Sequence, residues 1–129
     1  MKKIIGIIFA ISALALTGCS SGGTFTTQNV QEFVSTISDP NVVVIDVRTP
    51  EEFASGHVAN AVNMNVEGGN FDQEISVLDK SKTYALYCRS GRRSANAAGI
   101  MSDAGFTSVI TLDGGAADLA NAGMQLVMP

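Results

Sequence analysis

Thr83-Tyr84-Ala85-Leu86-Tyr87-Cys88-Arg89-Ser90-Gly91-Arg92-Arg93-Ser94 joins an apolar run to a short loop of one cysteine, one glycine and three arginines. The alanine-rich tract Ala95-Asn96-Ala97-Ala98-Gly99-Ile100-Met101 follows directly. This order reads as strand, tight loop and helix start, a unit of an α/β fold. The free N–H groups and positive dipole end of such a helix start favour an anion. A cysteine with a pKa near 8.5 is only about 3% thiolate at pH 7, whereas a shift to about 6.5 makes it roughly three-quarters thiolate. The chemistry of Cys88 therefore depends on what the loop does to its pKa.

Outward from this unit, strand and helix signals alternate. Val30, Phe33, Val34 and Ile37 fall at the spacing of one apolar helix face, with Thr27 as the expected cap and Asp39-Pro40-Asn41 as the stop. Val42-Val43-Val44-Ile45 is a β-branched run suited to a strand buried on both faces of a parallel sheet. Thr49-Pro50-Glu51-Glu52 supplies an N-cap, a proline at the first helical position and a glutamate at the third, so a short helix should run to Ser55-Gly56. Ala61-Val62-Asn63-Met64 predicts a strand and residues 71–78 a helix. Ala97, Met101 and Ala104 are expected to stack along the helix after the loop, which Gly105 ends. Residues 107–112 predict a further strand, Asp113-Gly114-Gly115 a turn, and residues 116–122 a last helix. The alternation implies a small parallel β-sheet flanked by helices on both faces. In such sheets ligands sit beyond the carboxyl ends of the strands, where the loops at Cys88 and at Asp46-Val47-Arg48 can converge.

The chain has a second cysteine, Cys19, whose context is different. Met1-Lys2-Lys3, the apolar residues 4–16 and Leu16-Thr17-Gly18-Cys19 form an export signal too short for a spanning helix. Its ending resembles a bacterial lipoprotein lipobox, which implies cleavage before Cys19, attachment of a diacylglycerol carrying fatty-acyl chains such as palmitate to its sulfur, and membrane anchoring on the periplasmic side of the cell envelope. The expected organisation is a cleaved signal at residues 1–18, lipidated Cys19 with a Ser/Gly tether through residue 24, and one domain at 25–129. With Cys19 lipidated, Cys88 has no partner for an internal disulfide and is either inert or kept for chemistry. Loss of Lys2 and Lys3 with the signal takes the formal net charge from −4 to −6. Three of the remaining basic residues are Arg89, Arg92 and Arg93, which suits a small anion and not the extended basic face that nucleic acid requires.

Four segments together resemble the single-domain rhodanese-type sulfurtransferases. They are Val44-Ile45-Asp46-Val47-Arg48-Thr49-Pro50-Glu51-Glu52-Phe53, Gly56-His57-Val58-Ala59-Asn60-Ala61-Val62-Asn63, the loop from Tyr87 through Ser94, and Leu112-Asp113-Gly114-Gly115. The resemblance implies a rhodanese-like fold and a nucleophilic Cys88 that takes the sulfane sulfur of thiosulfate or a similar anionic donor. Cys88 then holds that sulfur as a persulfide and passes it to a thiol or cyanide acceptor. It further implies that the backbone of Arg89, Ser90, Gly91, Arg92 and Arg93 cradles the sulfur. The arginines are expected to attract a charged donor and lower the thiol pKa.

Residue chemistry limits these roles. Arg48 is a candidate for the donor anion or for bracing the sheet end, and Asp46 is a structural acceptor for the loop backbone or for Arg48. His57 reads as a turn residue with a hydrogen-bonded ring. Arg89 and Arg92 are also compatible with solvated loop charges, and Arg93 with support of the loop. One histidine and one free thiol provide no metal site, and no cofactor is expected. Met64, Met101, Met124 and Met128 read as core or terminal packing. A cysteine phosphatase would need Cys-x5-Arg, one residue longer than Cys88 to Arg93, and an acid for its leaving group. The chain has no tryptophan, which many single-domain members carry in the helix after the Gly-Gly turn. A monomer is expected, and the alternative function is a non-catalytic module that binds an anion or senses redox state.

Overall fold

A computed structural model describes residues 24–129; the expected signal at residues 1–18 and Cys19 lie outside the described residues. The elements in chain order are β1 (Thr26–Gln28), α1 (Val30–Ile37), β2 (Val43–Asp46), α2 (Pro50–Ala54), β3 (His57–Val58), β4 (Val62–Asn63), α3 (Phe71–Ser76), β5 (Thr83–Tyr87), α4 (Arg92–Asp103), β6 (Ser108–Leu112), α5 (Ala116–Asn121) and β7 (Leu126–Val127). The main sheet has the order β1-β6-β5-β2-β4, and all its pairings are parallel. The expected parallel sheet flanked by helices is present.

The alternation of side chains along β5 divides the core. Tyr84 and Leu86, followed by Cys88, pack on one face with Ala97, Ala98 and Met101 of α4 and with Phe71 and Ile75 of α3. Ala85 and Tyr87 point to the other face, against Phe33 of α1 and Leu119 of α5. Both faces of the central strand are therefore dry, as its unbroken apolar sequence requires.

Local differences from the sequence expectations have physical causes. Helix α1 is capped by Asn29, not Thr27: Asn29 Oδ1 accepts from Glu32 N at 2.9 Å, and Glu32 reaches back to Asn29 N. Thr27 instead lies in β1 and pairs with Thr111. Helix α2 has the expected capping box between Thr49 and Glu52, with Pro50 at its first position. Met101 is buried in the α4 face, but Ala104 is the exposed C-cap. Met128 is 73% exposed and does not contribute packing, unlike buried Met64. His57 belongs to a strand and not to a turn, because β3 and β7 form a separate antiparallel pair joining His57 to Val127 and Val58 to Leu126.

Candidate active site

The carboxyl ends of β2 and β5 are adjacent, since Asp46 pairs with Tyr87. Val47 N then donates to Tyr87 O at 3.1 Å, which carries the pairing into the two loops that follow. Asp46 is fully buried and Arg48 is nearly so. Arg48 Nε and Nη2 donate to the Asp46 carboxylate, with Nη2 2.6 Å from Oδ2, and Arg48 N donates to Oδ1. The guanidinium also donates to Gly56 O at 2.7 Å and lies over the Tyr87 ring. Burial opposes the charge on Arg48, but the hydrogen bond and the field of Asp46 raise its pKa above the ordinary value. Tyr87 accepts from Val58 N through its hydroxyl at 3.0 Å, and burial raises its phenol pKa strongly.

Cys88 is fully buried at the start of the loop. Gly91 N donates to Cys88 Sγ at 3.0 Å, and Ser94 Oγ lies 3.6 Å from the sulfur. With Cys88 as a thiol, Sγ–H donates to Ser94 Oγ and the Ser94 hydroxyl donates to Gly91 O at 3.1 Å; beside a thiolate the same hydroxyl can turn its single proton to the sulfur. Gly91 makes this curl possible, because its φ of 97° is disfavoured for other residues. Burial pushes the Cys88 thiol pKa up, but hydrogen bonding from Ser94 Oγ and from the amides of Ser94, Ser90 and Gly91 outweighs it and brings the pKa below its ordinary value. These dipoles, not the loop arginines, are the main cause of the lowering, contrary to the sequence expectation. Cys88 contributes to the field at Arg93 only after Glu52.

The three loop arginines differ. Arg89 and Arg92 are exposed. Arg93 is bound bidentately by Glu52, with Nη1 to Oε1 at 2.7 Å and Nη2 to Oε2 at 2.9 Å. Glu52 is the same residue that completes the α2 capping box. The hydrogen bonds of Arg93 lead the causes that lower its pKa to about 2. Stability from this pair is fully present above the ordinary value of 4.5 and is lost as pH falls through about 2.

A cavity of about 310 Å³ beside the loop is lined by Arg48, Glu52, Ser55, Arg89, Ala116 and Ala117. A hollow of about 320 Å³ at the amino end of β2 includes Asp39, Val42 and Asn60 but no thiol, histidine or cation. Size therefore does not single out the candidate site, and the cavity beside the thiol loop is the candidate because of its proximity to Cys88. His57 stands back from this cavity. Its ring stacks on Phe53 at 3.6 Å, and its Nδ1 is 2.9 Å from Phe53 O.

The Asp113-Gly114-Gly115 turn packs against the loop. Ala116 N donates to Cys88 O at 2.9 Å, and Gly115 N donates to Asp118 Oδ2 at 2.8 Å. A Cβ on Gly115 would fall 1.6 Å from Arg89 O. Sequence reading identified this segment as a turn but missed its contact with the loop, and the adjacent pair of glycines was the available signal.

A family profile described as Rhodanese-like domain matches residues 29–122. The putative sulfurtransferase YtwF of Bacillus subtilis is 37% identical over 78 residues, 60% of this chain and 73% of that protein. The thiosulfate sulfurtransferase PspE of Escherichia coli is 38% identical over 76 residues, 59% of this chain and 72% of its own length. Among solved structures, a rhodanese-related protein from Thermoplasma volcanium superposes with a TM-score of 0.72 at 27% identity, covering 81% of this chain and all of the other.

Proposed function

The chain belongs to the rhodanese-like domain family, and from that premise we propose that it is a sulfurtransferase working through a Cys88 persulfide, with thiosulfate or a similar sulfane anion as donor. The observation that carries this reading is the buried Cys88 sulfur receiving the Gly91 amide at 3.0 Å, with Ser94 Oγ beside it. Dipoles fixed by the fold can stabilise a thiolate and then a terminal persulfide without reorganising.

The Cys88 thiolate attacks the outer sulfur of thiosulfate. A new S–S bond forms, the donor's S–S bond breaks, and its electron pair leaves with sulfite. Cyanide or a thiolate then attacks the terminal sulfur of the persulfide. Cyanide departs as thiocyanate, a thiolate departs as its own persulfide, and the Cys88 thiolate returns in either case. The two half-reactions predict ping-pong kinetics. Arg89 at the cavity and exposed Arg92 draw the anionic donor to the loop, while Ser90, Gly91 and Ser94 hold the sulfur. Arg48 and Asp46 brace the loop's neighbour, and Arg93 braces it from α4.

Intact mass tests the first half-reaction. Thiosulfate should add one sulfur, about 32 Da, to the wild-type chain and none to Cys88→Ser, and cyanide should remove it. The lowered pKa of Cys88 is the observation that would equally suit a redox-sensing module without turnover. Failure of thiosulfate and other sulfane donors to add sulfur to a chain whose Cys88 still reacts with peroxide would establish that second reading.

The lipobox-like Leu16-Thr17-Gly18-Cys19 supports placing this activity on a lipid anchor in the cell envelope. The membrane-extracted protein should then have the mass of residues 19–129 plus a diacylglyceryl group and any further acyl chain. An unprocessed, unacylated chain in the soluble fraction would overturn that placement.

A further inference from the structure

We propose that Glu52 is a specificity-determining residue of this site, neutralising Arg93 so that Arg89 and Arg92 are the cations offered to an anionic sulfur donor. The assignment rests on the proposed sulfurtransferase reading, but its geometry is independent of turnover. Of the four arginines near the loop, two are held by carboxylates: Arg48 by Asp46 and Arg93 by Glu52. Glu52 and Arg89 line the same cavity. An anion entering there meets Arg89 together with a fixed negative charge, so the site attracts it less strongly than the arginine-rich sequence suggests.

The position of Glu52 is set twice. From the third residue of α2 it accepts from Thr49 N and Thr49 Oγ1, and it grips Arg93 through both carboxylate oxygens. This links the start of α2 to the first turn of α4, whose Ser94 faces the thiol. Glutamine can fill the same capping-box position. Glu52→Gln therefore keeps the cap and a hydrogen bond to Arg93 while removing the charge. Glu52→Ala removes the cap as well and serves as the structural control.

The other charged groups around Cys88 must be held constant. They are Arg89 and Arg92 from the loop side, Arg93 from α4, the paired Asp46 and Arg48 after β2, Glu67 acting on Arg93, and Asp113 and Asp118 around the glycine turn. None is altered in Glu52→Gln. An unmasked Arg93 should favour both the thiolate and a bound dianion.

The experiment measures alkylation of Cys88 by neutral iodoacetamide across pH, and thiosulfate KM at low and high salt, for wild type, Glu52→Gln, Glu52→Ala and Glu52→Gln with Arg93→Met. Glu52→Gln should move the alkylation midpoint to lower pH and reduce KM about two- to fivefold at low salt, with the KM effect fading at high salt. The double variant should return both readouts towards wild type. An unchanged or raised midpoint in folded Glu52→Gln would overturn the assignment and leave Glu52 as a cap. Alkylation needs no sulfur transfer, so a lowered midpoint in a chain that never gains sulfur would uphold charge masking while rejecting the sulfurtransferase reading.

Discussion

Gly115→Ala is expected to slow sulfur transfer by about 100-fold, the penalty that a misplacement of about 1 Å can impose on a reacting group. The backbone angles of Gly115 are extended (φ −144°, ψ −173°) and open to any residue, so the obstacle is space alone. An added Cβ would fall 1.6 Å from Arg89 O and 2.2 Å from Arg89 C. Both atoms belong to the backbone, so no rotamer change can relieve the clash. Either the turn retreats and loses the Ala116 N to Cys88 O bond of 2.9 Å, or the loop shifts and carries the amides away from the sulfur. Overpacking of this kind also costs about 1–3 kcal/mol of stability. Gly99→Ala is the matched control, because its Cβ would meet only Phe25 Cε1 at 3.9 Å. In helix α4 that change should leave stability unchanged or raise it by up to about 1 kcal/mol. Urea denaturation and donor kcat/KM on both variants decide the matter: equal activities would show that the loop does not depend on the turn.

Asp46→Ala should destabilise the domain by about 3–5 kcal/mol, because it leaves the buried Arg48 cation with Gly56 O in place of a carboxylate. Domains of this size are typically stable by about 5–15 kcal/mol, so the loss is a large share of the total. The damage should spread, since Asn63 Nδ2 donates to the carbonyls of both Asp46 and Arg48, at 3.1 and 2.9 Å. Joint replacement by Asp46→Leu and Arg48→Met should cost less than Asp46→Ala alone, because no charge is then stranded. Urea midpoints test the pair, and a single-variant loss below about 1 kcal/mol would show that water or another group compensates Arg48.

The strand–loop–helix unit was legible because each part has a local cause. Residues 84–87 are aromatic or aliphatic and buried, Gly91 permits the turn, and the alanine-rich tract continues as helix. The capping box at Thr49 was legible for the same reason. Strands β3 and β7 were not, because each has two residues and exists only through the other. Strand β1, Thr26-Thr27-Gln28, is a polar edge whose conformation follows from pairing with β6. At the site, sequence located the thiol and its arginines but could not divide the arginines by role. Glu52 and Arg93 are far apart in the chain, and their pairing arises only when α2 and α4 meet. The amide cradle around Cys88 was legible from the helix start and the family pattern, but its weight relative to the arginines was not, because that depends on where each guanidinium finds its partner.

The all-parallel main sheet also governs how the protein is made. No strand of that sheet can zip onto its sequence neighbour through a hairpin, and β1 must await β6 to find Ile110, Thr111 and Leu112. Such non-local pairing places folding towards the slow end, in the range of about milliseconds to seconds. The glycine turn that seats the Cys88 loop follows β6, one of the last parts of the domain to emerge during synthesis. Until it docks, the thiol lacks its enclosure and is open to sulfenylation and mixed disulfides. Susceptibility of the cysteine to oxidative damage is thus a matter of age, greatest in the nascent chain and least once the final crossover has closed.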